Sequence, residues 1–194
     1  MPTERISLSV PTVQGREIEY VTDALSTGWV STAGSYVSSF EESVARFVGA
    51  PRAVACQSGT AGLHIALLLA GVQPDDAVLV PTLTFIAAVN PVKYVGAHPV
   101  LMDCDDSLRL DPVKLERYCK EECAFSEGVL RNRETGRAIK AIVVVHVFGN
   151  MADMVAINDV ARRFNLRVIE DATEALGTKY TEGPYAGRFA GTLG

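Results

Sequence analysis

Short β-rich runs alternate with helical stretches over most of the chain. Strands are expected at residues 53–57, 77–81, 98–103, 141–148 and 166–171. Several of them, such as AIVVVHVF, are apolar almost without interruption, as a parallel strand covered on both faces should be. Helices are expected between them at 63–72, 85–95, 112–124 and 153–164. Pro91 should kink or shorten the second of these, because proline lacks an N–H and clashes with the preceding turn. Asp111 followed by Pro112 starts the third with a capping side chain and a preset φ. Strand–helix alternation of this kind predicts an α/β fold with three layers: a mostly parallel sheet with helices on both faces.

The first 50 or so residues read differently. An amphipathic helix at 15–27, the turn-rich piece GWVSTAGSY and a second helix at 40–47 form a lead-in packed on the sheet domain. Residues 126–137 are polar and contain glycine, which suits a hairpin or a surface loop. After Gly177 the chain is rich in glycine and without periodicity, and it reads as if it stops in mid-fold.

Composition narrows the function classes. Of 194 residues, 48% are hydrophobic and 21% charged, the balance of a globular domain. The net charge of −5 leaves no basic stripe with which to neutralise nucleic-acid phosphates. No run approaches the ~18 apolar residues that span a bilayer, and MPTERISLSV has no apolar signal core, so a cytoplasmic protein is expected. Cys56, Cys104, Cys119 and Cys123 show no metal or redox spacing and are read as buried, reduced thiols.

Four segments can carry chemistry. QSGTAG, residues 57–62, joins a strand to a helix through small residues. Such a turn points backbone N–H groups and the Thr60 hydroxyl at an anion, and Gly59 permits close approach. The same residues also suit an ordinary capped turn. In RVIEDATEALG, residues 167–177, a strand ends in Glu170-Asp171, and α/β sheets bind ligands beyond the carboxyl ends of their strands. Neighbouring strand residues point to opposite faces, so only one carboxylate can serve the site, and Asp171 is favoured. Glu174 lies three residues on.

PTLTFIAAVN, residues 81–90, places Phe85 at another strand end, where it could stack on a flat ring or simply fill the core. In VVVHVFGNMADM, His146 is either a ligand-contacting donor or a hydrogen-bonded core histidine. Trp29, the only tryptophan, is a loop anchor or a substrate platform. Serine-hydrolase and zinc signatures do not occur. The features converge on a phosphorylated, flat ligand with a cationic nitrogen, a description that pyridoxal 5'-phosphate (PLP) fits.

The ordered set GWVSTAGSYVSSFE, QSGTAGLHIAL, PTLTFIAAVNPV, HVFG and VIEDATEALG resembles the DegT/DnrJ/StrS family from about Leu8 to Gly194. These are PLP-dependent nucleotide-sugar aminotransferases of the type I aminotransferase fold. The resemblance implies that Gly59, Thr60 and Ala61 cradle the cofactor phosphate and that Phe85 stacks on its ring. It places Asp171 on the ring nitrogen and Glu174 near the ring hydroxyl. It also puts the Trp29–Gly34 segment and His146 along the sugar pocket.

The implied whole enzyme is a homodimer with a shared active site. It would transfer an amino group, from glutamate, to a 4-keto-6-deoxy nucleotide sugar for surface glycan or antibiotic sugar synthesis. One departure stands out. The family's Schiff-base lysine would follow Gly194, so no catalytic residue is expected within these 194 residues, which would form a large domain without the small C-terminal one. Two rival readings remain: a PLP-dependent deoxysugar dehydratase of the same family, in which histidine replaces that lysine, and a non-catalytic nucleotide-sugar-binding domain.

Overall fold

The computed structural model describes Ile6 and residues 10–194, so the start of the lead-in, including Leu8, lies outside the described residues. Along the chain come α1 (Glu17–Thr27), α2 (Ser35–Val48), α3 (Gly59–Leu69), β1 (Ala77–Pro81), α4 (Asn90–Tyr94) and β2 (His98–Met102). They are followed by α5 (Pro112–Glu121), β3 (Cys123–Ser126), β4 (Val129–Asn132), β5 (Ala138–Val145), α6 (Met154–Arg163) and β6 (Arg167–Asp171). The long apolar run of β5 is the centre of the sheet. On one side β5 pairs in parallel with β1, which pairs with β2; on the other it pairs in parallel with β6. Among the described strands the β3–β4 hairpin is the antiparallel part, joining the sheet beside the start of β5.

The side chains of β5 alternate between two cores, as the pleat requires. Ile142 and Val144 join Leu115, Met154 and Ile157 beneath α5 and α6. Ala141, Val143 and Val145 join Leu63, Leu67 and Val92 beneath α3 and α4. The sheet is therefore covered on both faces, which explains why β5 lacks a polar alternation. The expected α/β layering is what the chain adopts.

Local chemistry sets the helix starts. The Asp111 carboxylate accepts from the N–H groups of Val113 (2.8 Å) and Lys114 (3.2 Å), ahead of Pro112. Asp153 caps α6 by accepting from Ala156 N at 3.0 Å. Proline has the anticipated effect at residues 85–95: a 3₁₀ turn over Ile86–Ala88 gives way to the short α4, with Pro91 in its first turn.

Three of the expected elements need correction. Residues 53–57 form no strand; Val54 is 79% exposed, and the Ala55 N–H donates to Glu41 Oε1 at 2.8 Å. A β-rich composition yields a ladder only where another strand offers its free edge, and among the described residues none meets this segment. The central strand lies three residues earlier than its apolar run suggests. It ends at Val145 because a 3₁₀ turn over Val147–Gly149 follows, with Phe148 in left-handed backbone (φ 58°). The third helix stops at Glu121, and Cys123 and Ala124 open the hairpin, whose Glu127-Gly128 turn has both φ angles positive (53° and 75°).

The lead-in touches the rest of the chain through α2, whose Phe47 ring lies 5.3 Å from that of Phe189. Neither α1 nor α2 buries a residue; they meet through the Tyr20 and Tyr36 rings, 5.2 Å apart, and a Tyr36 hydroxyl that donates to Asp23. Of the thiols, Cys119 and Cys123 are buried, and burial pushes Cys119 up to about 12, which keeps it unreactive. Cys56, on the unpaired segment, is exposed instead. Among the described residues no helix is long and apolar enough to cross a membrane.

An ion cluster ties α5 to α6. Glu116 Oε1 meets Arg163 at 2.6 Å and Lys120 at 2.5 Å, and these two cations, Arg163 foremost, hold its carboxyl at about 2. A depressed folded-state value means that the contribution is complete above the ordinary carboxylate range and is lost as pH falls toward 2. Urea denaturation of wild type and Glu116→Gln should therefore show a small stability gap at pH 7 that closes by pH 2. A gap that does not change with pH would contradict this.

Candidate active site

The carboxyl ends of β1, β5 and β6 and the start of α3 enclose a cleft of about 270 Å³. This is where an open α/β sheet places a ligand. Gly59, Thr60, Phe85, Asp171 and Glu174 all line it, so three segments far apart in sequence meet at one site. Val145 and Val147 form its apolar wall.

Each wall follows from local structure. Ser58 is extended (φ −158°) and caps α3 by accepting from Ala61 N at 3.2 Å, while its carbonyl accepts from Gly62 N. A helix start leaves its first N–H groups without intrahelical partners. The Ser58 hydroxyl satisfies one of them, that of Ala61, and among the described residues nothing accepts from Gly59 N, Thr60 N or the Thr60 hydroxyl. The capped turn is what the structure shows, and Gly59 and Thr60, whose donors the cap leaves unused, line the cleft. Ala61 stands in the same first turn, but its N–H is used by the cap. A Cβ at Gly59 would lie 3.8 Å from Thr173 Oγ1, an ordinary contact, so α3 and the end of β6 approach closely at this point without excluding a side chain.

Phe85 is 75% exposed, which removes it from the core and leaves its ring free at the cleft. Asp171 ends β6 on the α3 side of the sheet. Its Oδ1 accepts from Thr173 N (3.1 Å) and Thr173 Oγ1 (2.6 Å), while Oδ2 has no partner among the described residues. The Glu174 carboxylate accepts from the N–H of Phe148, which braces the strained turn at the mouth. Thr173 and Thr84 also line the cleft. The available signal for Thr173 was its position two residues after a strand-ending acid, where a hydroxyl can fold back on the carboxylate.

Two expected residues lie elsewhere. His146 is fully buried, its Nδ1 accepting from Ala152 N (3.1 Å) and its Nε2 bonded to Glu170 Oε2 (2.9 Å), so it offers nothing to a ligand in this structure. A strand running apolar to its end carries His146 to the α6 side, which is the core-histidine alternative. Trp29 is exposed in the loop between α1 and α2 and does not line the cleft. Glu170 faces away from the cleft, as the alternation of neighbouring strand residues requires.

A cleft with free N–H donors at a helix start, an exposed aromatic ring and a strand-end carboxylate belongs to an α/β protein and has the groups that suit a phosphorylated, nitrogen-containing ring. Comparison with known proteins sharpens this class. Residues 11–194 match the DegT/DnrJ/EryC1/StrS aminotransferase family, and the chain belongs to it. The chain is 42% identical to the GDP-perosamine synthase of Caulobacter vibrioides over 191 residues, covering 98% of this chain and 46% of that protein. It is 36% identical over 185 residues to the UDP-4-amino-4-deoxy-L-arabinose–oxoglutarate aminotransferase of Shewanella sediminis, covering 95% of this chain and 43% of the other. Among solved structures, a DegT DnrJ EryC1 StrS aminotransferase from Brucella abortus superposes with a TM-score of 0.76 at 31% identity, over 90% of this chain and 44% of that one. The chain thus spans under half the length of the relatives it matches.

Proposed function

We propose that these residues form the cofactor-binding large domain, with a helical lead-in over about residues 1–50, of a PLP-dependent aminotransferase acting on a keto nucleotide sugar. The observation that carries this reading is the single cleft shared by the α3 start, Phe85 and the free Oδ2 of Asp171. These residues fit the cofactor. The Gly59 and Thr60 donors would hold its phosphate at the positive end of α3. Phe85 would cover the ring, Asp171 would keep the ring nitrogen protonated by charge pairing, and Glu174 would stand near the ring hydroxyl. When bound, the cofactor supplies an electron sink for deprotonation at the carbon bearing the amino group. This chain's part is to anchor the phosphate, orient the ring and hold the proton on its nitrogen.

The substrate class draws on the relatives, whose names include a GDP-linked and a UDP-linked amino sugar. A 4-keto-6-deoxy nucleotide sugar is the acceptor proposed here. Glutamate is the donor, since the Shewanella enzyme's name pairs its amino sugar with oxoglutarate, the keto acid of glutamate. The whole protein is proposed to be a cytoplasmic homodimer with a shared active site that makes sugars for surface glycans.

The test is an intact mass of the whole protein carrying these residues, with PLP, before and after borohydride. A gain of one reduced cofactor is expected. A whole protein that gains none, and that converts no keto nucleotide sugar with glutamate, overturns the proposal.

A further inference from the structure

Behind the cleft lies a buried ionic centre that the proposed chemistry does not use. The side chain of Glu170 is 2% exposed and that of His146 0%. One carboxylate there collects four donors. Oε2 accepts from His146 Nε2 (2.9 Å) and Gly191 N (3.0 Å), and Oε1 from Leu193 N and Gly194 N, both at 2.5 Å. The imidazole is fixed from both sides. Because Nδ1 accepts from Ala152 N, its proton must sit on Nε2, and the neutral ring donates to Glu170. The His146 backbone N–H also donates to the carbonyl of Asp171 at 3.1 Å. His146 therefore grips both residues at the end of β6, one by side chain and one by backbone.

We propose that Glu170 is a positioning residue of the active site: its buried carboxylate clamps the end of β6 between His146 and the Gly191–Gly194 turn, and so fixes how Asp171 is presented to the cleft. The proposal rests on the cofactor reading only for its effect on turnover; the clamp itself stands on the geometry. Burial alone would raise the carboxyl of Glu170, but the bonds from His146, Leu193 and Gly191 outweigh it, so the group stays below the ordinary carboxylate range. A glycine is needed where the turn meets β6. A Cβ on Gly194 would lie 3.0 Å from the Val168 carbonyl oxygen and 3.4 Å from Glu170 Oε1. The centre is a shared anchor, since the loop after the mouth turn enters through Ala152 and the 191–194 segment through three N–H groups.

Glu170→Gln is the informative change, because an amide offers one oxygen where four donors converge and turns its NH₂ on the rest. In the whole, PLP-loaded protein it should keep one cofactor per chain and leave KM for glutamate within about twofold. It should lower kcat by about 10- to 100-fold, the scale of a sub-ångström to 1 Å misplacement of a reacting group. Amide exchange in the 191–194 segment should speed up at least about tenfold. A variant that loses only thermal stability, with kcat and exchange unchanged, overturns the proposal.

Should Glu170→Gln fail to fold, Gly194→Ala keeps every donor and acceptor but crowds the turn off β6, and it should give the same kcat and exchange pattern. In the unmodified protein, ¹⁵N-labelled His146 should show a bare Nδ1 and a protonated Nε2; the opposite tautomer, or a doubly protonated ring, overturns the clamp without any variant. If the unmodified protein takes up no PLP, the aminotransferase reading fails on its own, while exchange and tautomer still decide whether the clamp exists.

Discussion

Asp171→Asn is expected to lower kcat of the whole enzyme by about 10³-fold, roughly 4 kcal/mol of barrier, with the protein folded and the cofactor bound. The geometry says why an isosteric change should act so strongly. Thr173 gives two bonds to the same oxygen, Oδ1, one from its N–H and one from its hydroxyl. In the amide only the oxygen can accept them, so Thr173 selects the flip that turns the NH₂ toward the cleft. A donor then replaces the acceptor that should hold a protonated ring nitrogen, and the electron sink is weakened without a change of shape. The measurement pairs single-turnover rates with cofactor content from the absorbance of the purified variant. Full cofactor content with a collapsed rate supports the assignment; an unchanged rate removes Asp171 from the chemistry. Loss of the cofactor itself would make Asp171 an anchor rather than an electronic partner.

What could be read from sequence and what could not divide along a physical line. Apolar runs on strands buried from both sides, such as VLV in β1 and IVVV in β5, announce themselves because every position must be apolar. Caps such as Asp111-Pro112 are equally legible, since the interaction lies within four residues. The facing of the strand-end acids was legible too. The alternation of Glu170 and Asp171 predicted that only one would face the cleft, and the structure places them on opposite faces.

The failures depend on long-range partners. Residues 53–57 have strand composition, but a strand exists only where another edge accepts its hydrogen bonds. The end of β5 could not be located from hydrophobicity, because Val147 is as apolar as Val145. The break comes from the left-handed Phe148 and the Glu174 carboxylate 26 residues away that holds its N–H. His146 shows the same limit: its two alternatives differed only in what surrounds the ring, and Glu170 and Ala152 decide that. Cys56 lies exposed because its segment is unpaired.

Ile142→Ala is expected to be the largest single loss of stability, about 3–4 kcal/mol. Ile142 is fully buried in the middle of β5, in register with Leu79 of β1 on one side and Val168 of β6 on the other. Its side chain belongs to the core that includes Leu115 of α5 and Ile157 of α6. Both flanking strands are held in place by the backbone ladder and both helices by their other contacts, so the gap left by three carbons cannot easily close. That resistance is what raises the cost above simple transfer of the lost methylenes, at ~0.8 kcal/mol per CH₂. Urea unfolding should show a lower midpoint with the slope unchanged. The position also matters for the site, because β5 and β6 carry the cleft wall Val145 and the acid Asp171 at their far ends, opposite each other in the ladder. If the substitution costs under about 1 kcal/mol, the α5–α6 layer must settle onto the sheet, and the two strand ends that frame the cleft would be held by the Glu170 clamp rather than by the core beneath them.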